Sequence, residues 1–268
     1  MSDVLFSKAG AVATISINRP QTHNIMSANV FLELKQAWQK VREDSDIRVA
    51  VLTAAGDKDF CCGGDLSDVI PLWTGKRQAQ TPAEQALVAN PMILDDVMLK
   101  SEPLYKPVIS AINGRALGGG FEIMLATDIR IASSDAQFGV PEPKSGIIPG
   151  AGTMARLARQ ISYAHAMKLL LTAEPIDAEE AARIGLINEV VANDELLARA
   201  YQIAETLAGN APLALQAIKR TVIDSHTETW ARAYEIEMEQ SAGVMMSKDA
   251  REGPRAFKEK RKPEFKGE

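Results

Sequence analysis

With 268 residues, 46% of them hydrophobic and 24% charged, the chain can bury one substantial core, and its composition excludes a disordered or fibrous protein. Its 35 acidic against 30 basic residues leave a net charge of −5, so no overall positive field draws it to nucleic acid or to an anionic membrane. No run of 18 apolar residues occurs and the opening MSDVLFSKAG carries no cleavage signature, so neither a membrane span nor an export signal is expected.

The two cysteines, Cys61 and Cys62, are adjacent and cannot tie distant segments together, which points to a reducing, cytoplasmic setting. His23, His165 and His226 lie far apart, outside any C-x-x-C or H-E-x-x-H pattern, so no metal site is expected.

In chain order, the alternation of Ala13, Ile15 and Ile17 with Thr14 and Ser16 predicts a strand over 11–17. Ser27 can cap a helix in which Val30, Phe31, Leu34, Trp38 and Val41 recur at three- and four-residue spacing. The β-branched run Val49 to Thr53 reads as the next strand. A helical stretch over 84–100, a strand over 107–112, a glycine turn, a helix from about Gly119 and a strand over 129–132 follow. Strand and helix alternate, which predicts an α/β fold. Asn113-Gly114 suits a hairpin, but Arg115 to Gly120 reads better as a loop entering a helix. Beyond Ile161 helical patterns dominate: 163–171, 177–184 closed by Gly185, 194–207, 213–221 and 229–246, with only 188–191 extended. The segment Pro71 to Pro91, with Trp73, Gly75 and Pro82, reads as a functional loop or as a surface insertion. The tail from Lys248 reads as a solvated charged helix.

Three glycine loops could present backbone N–H groups to developing negative charge: Phe60 to Asp65, Leu117 to Glu122, and Ile148 to Gly152. Each also fits close packing of helix on strand. No G-x-G-x-x-G follows a strand, the P-loop lysine is missing after Gly114 to Gly120, and no G-x-S-x-G offers a nucleophilic serine. What remains is acids with backbone donors. Glu122 stands among Phe121, Ile123, Met124 and Leu125, where burial would raise its pKa, and Glu142 is held between Pro141 and Pro143. Taken singly, Glu142 also fits a solvated turn and Glu122 a helix N-terminal charge.

These stretches resemble the crotonase (enoyl-CoA hydratase/isomerase) superfamily. The likeness is carried by Asn18-Arg19-Pro20, Phe60 to Asp65, Lys106 to Gly114, Ala116 to Glu122, Ala136 to Glu142, Gly146 to Gly152, Ala181 to Asn188 and Glu252 to Arg261. It implies a spiral of repeated ββα units over residues 1–200 and a C-terminal helical oligomerisation region over 201–268, assembled as a homotrimer or a dimer of trimers. It implies an acyl-CoA thioester substrate, with coenzyme A part of the substrate and no separate cofactor.

By the same resemblance, the N–H groups of Gly64 and Gly119 form an oxyanion hole, and Cys62, Gly64, Asp65 and Leu66 line the coenzyme A site. Gly150 helps position water or the acyl group, and Lys258 to Lys262 are candidate contacts for the coenzyme's phosphate. Glu122 activates water and Glu142 supplies the proton at the α-carbon; retention of both favours hydration. Thr153-Met154-Ala155 replaces the Gly-Thr-Gln common in such hydratases, and the Ile70 to Leu104 stretch is longer than in short-chain enzymes. Both departures bear on the acyl pocket. The Gly-Gly-Gly-Phe-Glu run and the Glu252 to Arg261 pattern are also similar to crotonobetainyl-CoA hydratase, so a specialised hydratase or an isomerase is the alternative activity. A non-catalytic acyl-CoA or RNA binding protein is the alternative class, weakened by the acidic balance and the intact glutamate pair.

Overall fold

The structure, a computed structural model, describes residues 2–90 and 92–268. It opens with an antiparallel hairpin, β1 (Val4–Ala9) and β2 (Val12–Ile17), in which Val4 faces Ile17 and Ala9 faces Val12. The Ser27 hydroxyl accepts from the Val30 amide and starts α1 (Ala28–Glu43), whose Val30, Phe31, Leu34, Trp38 and Val41 are all buried. Then come β3 (Val49–Ala54), β4 (Asp59–Cys61), α2 (Val69–Trp73), α3 (Pro82–Ala89) and α4 (Ile93–Val97). The second turn is β5 (Val108–Ile112), β6 (Arg115–Leu117) and α5 (Gly119–Met124), and the third begins with β7 (Ile129–Ser133) and β8 (Gln137–Gly139). It continues through α6 (Thr153–Gln160), α7 (Tyr163–Thr172), β9 (Ile176–Asp177), α8 (Ala178–Arg183) and β10 (Glu189–Val191). Helices α9 (Leu196–Ala208), α10 (Pro212–Asp224), α11 (Trp230–Met245) and α12 (Asp249–Glu259) close the chain.

From β3 to β8 consecutive strands alternate between two sheets. The first has the order β1-β2-β3-β5-β7-β10 and the second β4-β6-β8-β9. From β3 onward each turn of chain therefore lays one strand in each sheet before its helix, which is the repeated ββα spiral. From β2 to β10 the first sheet is parallel, and all six residues of β3 are buried because both faces are covered. Ala13, Ile15, Ile17, Ala50 and Leu52 join the main core with α1, while Val49, Val51, Ile109 and Ile131 pack under Leu196, Ala200 and Ala204 of α9. The alternation in β2 decides its faces: Thr14 lies on the α9 side, where its hydroxyl meets the Tyr201 hydroxyl at 3.1 Å. Helix α9 spans position 200, the boundary expected between core and C-terminal region, and covers the sheet.

Several local readings are corrected. The Arg115 to Leu117 stretch is not loop but strand β6, because Ala116 pairs with Cys61 on one side and with Phe138 on the other. Asn113-Gly114 makes no hairpin, since β5 and β6 belong to different sheets. Strand β1, unread in the sequence, exists through its pairing with β2. The single helix expected over 84–100 is two, α3 and α4; α3 starts with a capping box in which Thr81 and Glu84 satisfy each other's backbone amides. The segment 71–91 is partly helical, holding the end of α2, an irregular stretch over 74–81 and all of α3; its last residue, Pro91, lies outside the described residues.

Helices α10 and α11 pack together and leave Ile218, Val222, Trp230, Tyr234 and Met238 exposed. After α12 the tail folds back: the buried Asp249 carboxylate accepts from the amides of Lys266 and Gly267, each at 2.8 Å. Glu252 pairs with both Arg255 and Arg261, so the charged helix is laced by its own ion pairs.

Candidate active site

The backbone amides of Gly64 and Gly119 lie close together beside one cavity. After β4, Met26 and Gly64 form an isolated parallel bridge, in which Met26 donates to the Gly63 carbonyl at 2.8 Å and Asp65 donates to the Met26 carbonyl at 3.0 Å. Successive amides of extended backbone point to opposite sides, so the Gly64 N–H turns away from this bridge. A side-chain carbon on Gly119 would stand 3.5 Å from the Gly64 nitrogen, which places the two residues against each other. Gly119 is the first residue of α5, where an N–H has no acceptor within the helix. Among the described residues neither amide is hydrogen-bonded.

The loop carrying Gly64 is held from behind. Asp59, 3% exposed, accepts from Arg115 Nε at 2.6 Å, meets His23 Nδ1 at 2.8 Å and takes the Cys62 thiol at 3.3 Å. The Cys62 amide in turn donates to the His23 carbonyl. Burial, and then the Asp59 charge, push the Cys62 thiol up to about 12, so it stays protonated and is no nucleophile.

Glu122 sits one turn into α5 and is 5% exposed. Its Oε1 accepts from the amide of Ala151 at 2.7 Å and from that of Thr153 at 3.5 Å. Burial, reinforced by the charge of Glu142, pushes its carboxyl up to about 7 against the pull of those donors. Glu142 opens a short 3-10 turn, Glu142–Ser145, and burial raises its pKa as well. Its Oε2 is buried without a hydrogen-bond partner among the described residues. Gly118 makes room for it: φ there is +53°, and a side-chain carbon would stand 2.9 Å from Glu142 Oε1.

Glu122, Glu142, Gly64, Gly119, Cys62, Asp65, Leu66 and Gly150 all line one cavity of about 580 Å³. The structure thus brings together the two glutamates and the glycine-loop residues singled out for the site. It adds an apolar wall that sequence reasoning missed: Phe31, Trp73, Leu94 and Met98. Phe31 reads from its spacing as plain core; Trp73 was signalled only by its place in an unusual segment. Lys258 to Lys262 do not line the cavity of this chain, and Arg261 is engaged by Glu252 and Glu259. Among the described residues no group of three or more His, Cys, Asp or Glu is placed to hold a metal, and no helix is long and apolar enough to cross a membrane. A buried and a half-buried acid that share a cavity with unengaged amides suit a reaction that moves a proton while a carbonyl oxygen gains charge.

Comparison with known proteins gives the same direction. A family model described as enoyl-CoA hydratase/isomerase matches residues 7–268. The chain is 39% identical to the enoyl-CoA hydratase EchA19 of Mycobacterium tuberculosis, over 98% of this chain and 96% of that protein. It is 38% identical to an (E)-benzylidenesuccinyl-CoA hydratase of Thauera aromatica, over 96% of each. The crystal structure of an enoyl-CoA hydratase from Bacillus anthracis superposes with a TM-score of 0.89 at 36% identity, covering 99% of this chain and 100% of that one.

Proposed function

The chain belongs to the enoyl-CoA hydratase/isomerase family, and from that premise we propose that it is a lyase adding water reversibly across the 2,3 double bond of an enoyl-CoA thioester. The observation that carries the reading is one cavity holding two carboxyls of raised pKa and two unengaged amides. Burial raises both carboxyls, and the Glu142 charge raises Glu122 further to about 7, so the pair can hold a proton near neutral pH and offers a base and an acid together. Glu122, with its pKa near 7, takes a proton from water as the oxygen attacks the β-carbon. Charge moves to the thioester oxygen, where the N–H groups of Gly64 and Gly119 receive it; donors fixed in advance are worth about 10²–10³ in rate each. Glu142 delivers the proton to the α-carbon. Coenzyme A enters as part of the substrate, and the scheme uses no further cofactor.

Cys62, Asp65 and Leu66 at the rim of the cavity are read as contacts to the coenzyme, and Gly150 as a contact to the acyl group. Phe31, Trp73, Leu94 and Met98 support acyl groups larger than a four-carbon chain. The exposed apolar side chains on α10 and α11, Trp230 and Tyr234 among them, support assembly as a homotrimer or a dimer of trimers. Two free cysteines support a cytoplasmic location.

Loss of the enoyl absorbance on adding crotonyl-CoA and longer enoyl-CoA thioesters tests the activity. Glu142→Gln should lower kcat by about 10²–10⁴ with little change in KM. Unchanged turnover in that variant refutes the mechanism. Tight acyl-CoA binding with no turnover across the series would make the protein a binding module instead, and a shifted double bond without added water would make it an isomerase.

A further inference from the structure

At the start of α6, Thr153 is fully buried, and its Oγ1 has no hydrogen-bond partner among the described residues. A buried hydroxyl without a partner is costly to keep, so one in a folded core marks a place where partners are exchanged or supplied. The surroundings name the partner. The amide of the same residue reaches Glu122 Oε1 at 3.5 Å, beside the Ala151 amide at 2.7 Å. Both donors act on Oε1, while Oε2 accepts from no described residue and is left to the cavity that Glu122 lines. The charged groups facing Glu122 are Glu142 and Arg156, the latter one turn along α6 with Nη2 on the Leu99 carbonyl at 3.1 Å and Asp95 nearby. No cation is hydrogen-bonded to the carboxyl among the described residues, so neutral donors set its balance against burial and Glu142.

We propose that the Thr153 hydroxyl is a positioning group of this site, donating to the Glu122 carboxylate alongside the two amides and holding it ionised and aimed as the base for water. The assignment rests on the hydration reading for its purpose, but not for its geometry. Its origin is the departure in sequence at Thr153-Met154-Ala155: a glycine in place of Thr153 offers the same amide and no hydroxyl. The hydroxyl already lies close enough to Glu122 to lower its pKa, though short of a formed hydrogen bond, and donation to the charged form acts in the same direction.

Two variants separate hydroxyl from shape: Thr153→Val keeps the volume without the donor, and Thr153→Ser keeps the donor. The first readout needs no substrate. It is the infrared titration of the Glu122 carboxyl, isolated as the difference from Glu122→Gln. The second is the pH dependence of kcat with crotonyl-CoA. Thr153→Val should raise the midpoint by about one pH unit, a tenfold loss of the ionised form below it. At pH 6 its kcat should fall with the same factor, KM staying within about twofold, while Thr153→Ser follows the unmodified protein. Equal midpoints in Thr153→Val and the unmodified protein overturn the proposal, and so do equal displacements in both variants, which would assign the effect to packing. Should Thr153→Val fail to fold, Thr153→Ala is read by the same midpoints. If no enoyl-CoA is hydrated and yet the infrared midpoint moves as stated, the hydration reading falls and the hydroxyl assignment stands.

Discussion

Replacing Glu122 by glutamine should stabilise the fold at alkaline pH while removing its chemistry. The carboxyl is 5% exposed and its pKa is pushed up from 4.5 to about 7, first by burial and then by Glu142. A folded pKa above the unfolded one means that the folded state holds the proton longer. Stability is therefore unaffected below about pH 4.5, falls as pH rises toward 7, and stays lowered above it. At about 1.4 kcal/mol per pH unit, the rise corresponds to about 3 kcal/mol at pH 8. Glutamine keeps an acceptor for the amides of Ala151 and Thr153 and carries no charge to desolvate. Denaturant unfolding at pH 4.5 and pH 8, at one fixed protein concentration, should show matching stabilities at the lower pH and a gain of up to about 3 kcal/mol for Glu122→Gln at the higher. Hydration should fall by about 10²–10⁴. A variant no more stable at pH 8, or equally shifted at both pH values, would refute the assignment of this glutamate as a strained buried acid.

Two further perturbations probe the surroundings. Gly118→Ala places a carbon 2.9 Å from Glu142 Oε1 at a φ of +53°, and should cost about 10²-fold or more in kcat by displacing that carboxyl and the neighbouring Gly119 amide; full activity in steady-state assays would contradict the placement. Trp73→Ala removes the ring that packs against Phe31 at 5.9 Å between centroids on the apolar wall, so kcat/KM should fall by about tenfold or more for long or aromatic enoyl groups and little for crotonyl-CoA. A uniform change across chain lengths would assign Trp73 elsewhere.

Much of the site was legible because its parts are written locally. Gly118 to Glu122 reads directly as a glycine turn running into a helix with an acid in its first turn, and the structure has that geometry. The helix from Ser27 and the strand ending at Ile17 follow from periodicity that a single buried face imposes. The second sheet was not legible. Its strands β4, β6 and β8 have three residues each, too few to show a period, and exist only through pairing with segments more than twenty residues away in the chain. The apolar wall was hidden for a related reason: Phe31 has the spacing of any core residue, and only packing decides that its neighbours include a cavity.

By itself, then, the amino-acid order determined the α/β class and most helices, because backbone conformation and hydrophobic period act over a few residues, while resemblance to the crotonase superfamily named the acids and glycines of the site. Only the tertiary structure decided that Glu122 and Glu142 share one cavity, that the amides of Ala151 and Thr153 hold the first of them, and that Gly64 meets Gly119. Those relations depend on two sheets stacking segments far apart in the chain, and desolvation and Coulomb repulsion act on the resulting distances, whatever the separation in sequence.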